Sequence, residues 1–556
     1  LLDIWLAKFY YSSVMLKFIS KLWKAETPNI TSAALLIGLA SLASRFIGLI
    51  RDRLLASSFG AGDALDAYYA AFRLPEFFYQ FIVLGAVTAG FIPVFIEYLN
   101  QKGESEARKL ADIIFSTITI ILIIICGVIA VFADYLVPLT VPGFSGLKLT
   151  DTILLTRILL IGTVFLGMSA VMGGILQSLR RFMAYAFAPI FYNLGIIIGI
   201  IAIVPVLGVA GIAWGVAIGA FLHFALQALV AVPLGLSKFR APSITHFGFR
   251  RIIVLTLPRV GALTASQINL LILMAFASSL DSGSITVFNL ANNLQFVPIG
   301  LIGISFAVAA FPIFSDLASS KDLAGLRKSF LGVTRKVFFL IIPATALMLL
   351  LRVQIVRILY GAGEFDWSAT IRTADVLALF VISLIAQSIV PVLTRVFYAL
   401  QDSKTPLYIA IFITIINIIL AYLLKDKYGI VGLAASFSIS AFMQFGFLWI
   451  ILRKRLGGHL DGKELSLSLI KTILASLALF GFGWLARQYV GTIFPLQTFW
   501  QVALQTLSAT IMGITAFSVL AVLLKVQEFH EFISAMKFKL LRKVKLSEGA
   551  DQARGI

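Results

Sequence analysis

Cysteine is almost missing. Cys126 is the single one in 556 residues and sits in the apolar run IILIIICGVIAVF. A disulfide framework is therefore excluded, and a small packed residue is what that context predicts. His223, His246, His459 and His530 are scattered without ligand spacing, so no metal centre is expected. No G-x-x-x-x-G-K-[ST] sequence occurs, so no ATP site and no cofactor is expected; a membrane potential or an ion gradient stays possible as an energy source. A membrane enzyme acting on lipid would need a nucleophile beside a base, and no such constellation is visible. Charge of any sign is scarce, at 13% of residues, where soluble domains carry about a quarter. Acids are scarcer than bases, 26 Asp+Glu against 45 Lys+Arg, for a net +19. Basic cytoplasmic loops explain that excess better than a nucleic-acid partner does.

What is abundant is apolar sequence: 60% of residues, with a mean hydropathy of +1.00. Runs long enough to cross the hydrocarbon recur about fourteen times, from 32–57 and 65–98 to 467–489 and 498–524. The expected fold class is all-α, a polytopic membrane protein. Pro75, Pro189, Pro298, Pro343 and Pro391 should kink their helices, with neighbouring helices satisfying the freed carbonyls. Alternate connections are rich in Lys and Arg, among them Lys102, Arg108 and Lys109, then Arg180 and Arg181, then Arg453 to Arg455. The intervening GAGDALD, VPVLGVAG and SSLDSGS have none. Lys425 with Lys427 and the segment Arg357 to Arg372 are exceptions. The bias places both termini in the cytoplasm. Residues 1–28 read as a basic amphipathic segment lying on the membrane and 526–556 as a basic amphipathic tail. Leu1 is an unusual first residue, so either Met15 is the start or the chain is a fragment.

The chain repeats itself. Ala56-Ser57-Ser58 returns as Ala277-Ser278-Ser279, and Phe91-Ile92-Pro93-Val94-Phe95 as Ala310-Phe311-Pro312-Ile313-Phe314. GVAGIAWGVAIGAFLHF from Gly208 returns as GIVGLAASFSISAFMQF from Gly429, and Asn193 as Asn417. The common offset of roughly 220 residues marks a duplication rather than a solenoid. The expected organisation is an N-lobe at 29–235, a C-lobe at 236–455 and two added helices at 456–525. Each lobe has about six helices, an even number, so the lobes should be related by an axis along the membrane normal, with substrate between them.

The stretch Ser41–Asn100 carries charge where a spanning helix should have none. A charged side chain near the bilayer centre costs roughly 2.5–3.5 kcal/mol, so such residues usually face a bundle interior or a wet cavity. Arg45, Arg51, Asp52, Asp66, Arg73 and Glu76 are the candidate binding residues. Arg45 and Asp52, seven apart, share a helix face, as do Asp66 and Arg73. Gly48 between the first pair could allow a bend or a close approach. Arg51 to Arg53 could instead snorkel as an interfacial cluster, and Arg73 with Glu76 could be a structural i,i+3 pair. Arg259 reads as snorkelling. Where the first repeat has Arg51-Asp52-Arg53 the second is apolar, so one side of a duplicated scaffold is cationic. An arginine fork can hold two phosphate oxygens at once, which suits an anionic lipid.

SRFIGLIRDRLLASSFGAG with DAYYAAFRLP, RRFMAYAFAPIFYN from Arg180, and RVFYALQDSKTP from Arg395 together resemble the lipid II flippase (MurJ, or MviN) family. That family falls within the multidrug/oligosaccharidyl-lipid/polysaccharide exporter superfamily. The resemblance covers nearly the whole chain, and FYALQDSKTP is its most specific piece. It implies two six-helix lobes with two extra helices forming a lipid-tail groove, in the bacterial inner membrane. It also implies export of an undecaprenyl-pyrophosphate-linked peptidoglycan precursor from inner to outer leaflet by alternating access. The partners implied are that anionic polyprenyl-linked glycan and the membrane lipids, with the protein a monomer. Arg45 and Arg51 match the family's cations of helix one, Asp66 its acid after the first outer loop, and Arg73 its base before Leu-Pro. The chain departs from the family at Tyr79 and Gln80 and at Asn292-Asn293, where further charged residues are usual, so Asn292 and Asn293 join the candidate site as neutral members. The alternatives are export of another lipid-linked oligosaccharide, or a cation-coupled multidrug exporter, which should favour carboxylates over arginines.

Overall fold

The computed structural model describes residues 30–80, 90–234, 240–457, 462–494 and 498–534, with backbone alone at 30–35, 255 and 257–266. The N-terminal amphipathic segment, the Arg259 side chain and the tail beyond 534 lie outside the described residues. Among the described residues there is no strand. The chain divides into two compact units. The first runs to Thr286 and includes Ala362–Asp366; the second is Val287–Gly361 and the chain from Trp367 onward.

In the first unit the helices are α1 (Ile30–Phe59), α2 (Asp63–Ala71), α3 (Arg73–Tyr79), α4 (Ile92–Val131), α5 (Ala133–Thr140), α6 (Gly146–Ser178), α7 (Phe182–Ile198), α8 (Val204–Leu207), α9 (Ala210–Ala231) and α10 (Phe247–Ser278). A π-helical turn at Gly199–Ile203 joins α7 to α8. Next come α11 (Ser284–Pro298), α12 (Ser305–Ser319), α13 (Leu323–Leu350), α14 (Arg352–Tyr360), α15 (Trp367–Ala399), α16 (Lys404–Arg455), α17 (Lys463–Ile493) and α18 (Phe499–Leu523). Pro298 ends α11, and a π-helical segment, Ile299–Ile304, follows it.

Among the described residues ten helices are long and apolar enough to cross a membrane. Their outward side chains are apolar, as lipid demands: Val131 is 70% exposed and Leu229 71%. The 52 residues of α16 would span about 78 Å as one rod, against a hydrocarbon core of about 30 Å. The helix is broken at Gly429, at φ 56° and ψ −137°. Likewise α4 is broken at Gly103. In the first unit, Leu55, Leu65 and Tyr68 from α1 and α2 pack on Leu159 of α6 and on Ile212 and Val216 of α9. Gly195 of α7 and Gly219 of α9 meet so closely that a Cβ on Gly195 would lie 2.2 Å from Gly219 Cα. Small residues thus bring these backbones together. The core of the second unit is built from Phe330, Val337, Leu377, Phe380, Leu384 and Phe397.

The duplication is visible in backbone detail. Gly208, at φ 56° and ψ −140°, ends α8 in the conformation that Gly429 adopts in α16. Three residues on, Gly211 and Gly432 each lie against the preceding helix end, where a Cβ would come within 2.5 Å of Val204 N and 2.4 Å of Leu424 O respectively. Arg180 and Gln401 share a left-handed φ, 57° and 58°. Each closes its helix with the same pair of bonds: Arg181 N–H to Leu176 O with Arg180 N–H to Gln177 O, and Asp402 N–H to Phe397 O with Gln401 N–H to Tyr398 O. These are Schellman caps, which satisfy carbonyls that a helix end leaves open.

The two kinds of glycine lead to opposite expectations. A Cβ added to Gly208 or Gly429 would meet nothing within 4 Å, yet both hold a backbone conformation that side chains avoid. Gly208→Ala and Gly429→Ala should each cost about 1–3 kcal/mol of strain. At Gly48 a Cβ would meet only Asn193, at an ordinary 3.8 Å, and α1 runs unbroken past it. Neither a bend nor a tight approach requires that glycine, so Gly48→Ala should hold or raise thermal stability. Melting temperatures of the three variants in one detergent check the ordering.

Candidate functional site

A guanidinium inside a membrane bundle must find partners, and Arg51 makes three hydrogen bonds. Its Nε and Nη2 donate to Asp52 Oδ1 at 2.9 and 2.7 Å, and Nη1 donates to Asn193 Oδ1 at 2.8 Å. Asp52 is 3% exposed. The Asn193 amide nitrogen turns back to Ser44 Oγ at 3.2 Å and to Pro189 O at 3.0 Å. Ser44 and Arg51 are seven apart and therefore on one face of α1, so a single α7 side chain ties two turns of α1 in place. Asn193 carries this role, whereas the sequence alone marks it only as a repeated position. A polar amide in a proline-containing apolar helix is the signal that points to it.

Arg45 is placed differently. It is exposed, has no acidic partner among the described residues, and lines a cavity of about 370 Å³ within the first unit. The walls include Ser44, Tyr79, Ser169, Tyr185, His223 and Gln227. Ser169 Oγ lies 2.6 Å from His223 Nδ1 and accepts from Gln227 Nε2 at 2.9 Å. One hydroxyl thereby orients both side chains. His223, alone in the apolar run GAFLHFALQ, is an ionisable intramembrane residue that metal-ligand spacing does not single out.

Toward the other end of α1 and α2, Asp66 is 1% exposed. Its Oδ1 accepts from Thr286 N–H and Thr286 Oγ1, both at 2.8 Å. Its Oδ2 accepts from Gly283 N–H at 2.8 Å and from Lys148 Nζ at 2.9 Å. Lys148 also donates to Asp63 Oδ1 at 2.7 Å, and Ser282 Oγ donates to the same oxygen. The Lys148 bond and then that of Ser282 hold Asp63 below the usual carboxylate range. Asp66 and Arg73 share a helical face by count, and α2 and α3 meet at Phe72, whose φ −70° and ψ −22° are still helical, but Asp66 spends its oxygens on Thr286, Gly283 and Lys148. Arg73 pairs instead with Glu76 at 3.5 Å. Glu76 also accepts from Gln80 at 3.1 Å and lines a second cavity, of about 240 Å³, with Tyr79 and Tyr192. Gln80 in turn accepts from Gln267 at 2.6 Å.

Asn292 and Asn293 stand half-buried on α11 in the second unit. Asn292 Oδ1 accepts from Gln295 at 2.7 Å, and Gln295 Oε1 accepts from Gln387 at 2.8 Å. This is a neutral ladder of amides. Among the candidate arginines, then, Arg51 and Arg73 are each neutralised by a carboxylate, and Arg45 is the cation turned toward a cavity.

Helices long and apolar enough to cross a membrane, with polar-lined cavities in the first unit, define a multi-pass membrane transporter, and its fold is that of the multidrug/oligosaccharidyl-lipid/polysaccharide exporter superfamily. The solved structure titled "Lipid II flippase MurJ, inward closed conformation" superposes with a TM-score of 0.71 at 22% identity, covering 88% of this chain and 99% of that one. An inward-facing multidrug resistance MATE transporter of the same superfamily follows at 0.64 and 17%, covering 75% and 96%. The family model described as "Lipid II flippase MurJ" matches residues 55–525, and the chain belongs to that family. The Burkholderia cenocepacia lipid II flippase MurJ is 30% identical over 440 residues, 77% of this chain and 84% of that protein. The probable lipid II flippase MurJ of Rhizobium meliloti is 28% identical over 500 residues, 86% and 90% of the two chains.

Proposed function

We propose that this protein moves a polyprenyl-pyrophosphate-linked peptidoglycan precursor, lipid II, from the inner to the outer leaflet of a bacterial inner membrane. Both termini are cytoplasmic in this reading, and about fourteen passes cross the bilayer. The observation that carries it is the placement of Arg45: a guanidinium without a carboxylate partner among the described residues, facing a cavity walled by phenols, hydroxyls and amides, in a chain of the lipid II flippase family. The guanidinium fork takes two phosphate oxygens. Alternating access between lobes would carry the head group while the polyprenyl tail stays in lipid. An interior-negative potential favours outward movement of an anion by about 2.3 kcal/mol per charge per 100 mV, so neither ATP nor a bound cofactor is needed. No chemical step on the lipid is involved, and a monomer suffices.

A second reading keeps the architecture and changes the glycan. The neutral amides Asn292 and Asn293, half-buried where the family resemblance leads one to expect charge, favour it. Proteoliposomes loaded with a fluorescent lipid II analogue separate the two. Accessibility of the fluorophore to an external quencher should rise faster than in protein-free vesicles, and faster than for a polyprenyl-pyrophosphate bearing a different oligosaccharide. Equal rates for both lipids would favour the broader exporter. No rise with either would end the flippase assignment.

A further inference from the structure

Two arginines converge at one end of the second unit and play no part in the site above. Arg352, the first residue of α14, donates from Nη1 to Leu349 O at 3.3 Å. Arg487 of α17 donates from Nη1 to Leu350 O at 2.9 Å. The two guanidinium groups thus meet at adjacent carbonyls of the last turn of α13. Among the described residues neither has a carboxylate partner, and Arg352 Nε is buried without a hydrogen-bond partner. One cation suits a helix C-terminus. Two beside each other repel, and each guanidinium has five N–H donors, of which a single carbonyl takes one.

The level of this pair in the bilayer is marked by its neighbours. Trp484 and Tyr489 flank Arg487 on α17, and Phe499 and Trp500 open α18; all four are exposed, Trp500 to 79%. Such an aromatic belt sits at head-group depth. Toward the helix ends lies a polar layer: Gln354 Nε2 reaches Gln505 Oε1 at 3.4 Å, and Gln505 Nε2 donates to Phe494 O at 2.7 Å. Here the missing partner is an anion, and the anion present at head-group depth in a membrane is a lipid phosphate.

We propose that Arg352 and Arg487 together form a site for the phosphate of an anionic membrane phospholipid, distinct from the transported substrate's cavity in the first unit. Counting spans from a cytoplasmic N-terminus puts this end at the outer leaflet, where the neighbouring segment Arg357 to Arg372 is an exception to the loop-charge bias. The bound phosphate holds the junction of α13, α14 and α17 by supplying the negative charge that those elements lack.

The test uses the full chain purified in detergent, with added lipids read by native mass spectrometry and thermal unfolding. Phosphatidylglycerol is expected to be retained about tenfold more tightly than diacylglycerol, which has no phosphate. The Arg352→Gln/Arg487→Gln variant should lose that preference. Each comparison is made between lipids within one variant, so a general loss of stability cancels. Should the double variant not fold, Arg487→Lys alone keeps the charge but removes the fork, and the preference should still fall several-fold. An unchanged preference in these variants, or none in the wild type, overturns the site. Inorganic phosphate at millimolar concentration matching the stabilisation given by phosphatidylglycerol would overturn the lipid as its occupant. Because lipid retention is the readout, the result stands apart from whether the protein flips lipid II.

Discussion

Replacing Arg45 with alanine is expected to slow flipping of a lipid II analogue by about 100-fold or more while the protein remains folded. Hydrogen bonds to charged groups contribute about 1.5–3 kcal/mol each, so losing a two-pronged grip on phosphate removes roughly 3–6 kcal/mol of binding, and each 1.4 kcal/mol is tenfold. Stability should hardly move, because Arg45 is exposed and makes no ion pair among the described residues. Arg45→Lys keeps the charge without the fork and should fall between. The neighbouring arginine gives the contrast. Arg51→Ala would take from Asp52, 3% exposed, the guanidinium that donates two hydrogen bonds to it, at a cost of about 3–5 kcal/mol. It should therefore lower expression and melting temperature first, and Arg51→Gln with Asp52→Asn should recover much of the fold. Flipping rates and melting curves on the four variants decide the matter. Wild-type flipping by Arg45→Ala would remove Arg45 as the phosphate contact, and an unaltered melt for Arg51→Ala would remove the structural role given to Arg51.

The second large effect is expected at Asp66. Asp66→Ala removes the acceptor for two backbone N–H groups, one hydroxyl and one ammonium. Leaving buried donors unmet costs about 1–3 kcal/mol each, and Lys148, whose side chain is 15% exposed, loses one of its two carboxylates. A loss of about 4 kcal/mol or more is expected, enough to unfold this region locally before the rest. Hydrogen exchange read at Gly283 and Thr286 measures it directly. Those amides should exchange at least about 100-fold faster in Asp66→Ala, since each 1.4 kcal/mol of opening is tenfold. In Asp66→Asn, which keeps one acceptor oxygen, they should be affected less. Protection equal to wild type in both variants would show that the knot is not what orders the segment.

Class and family were open to the sequence because they depend on quantities that add along the chain. Hydropathy summed over twenty residues identifies a spanning helix whatever it packs against, and the repeats around Gly208 and Gly429 are legible because both need the same glycine-only backbone. The FYALQDSKTP segment is specific for a similar reason. Its Gln401 and Asp402 close one helix in a Schellman cap, and Asp402 then accepts the Lys404 and Thr405 amides that open the next. Local geometry of that kind is written in consecutive residues.

The division of labour among the arginines was not so written. Arg45, Arg51 and Arg73 are three similar side chains in apolar surroundings, and sequence spacing treats them alike. What separates them is which carboxylate or amide each can reach in space: Asp52 and Asn193 for Arg51, Glu76 for Arg73, and none among the described residues for Arg45. Asn193 lies 142 positions from Arg51, and Lys148 lies 82 from Asp66. Composition and periodicity determined that this chain is a duplicated helical membrane protein with costly charge in its first helices. Only the packing of α1 against α7 decided which of those charges is spent on the fold and which is left for a ligand, because pairing depends on distances of about 3 Å that no one-dimensional pattern encodes.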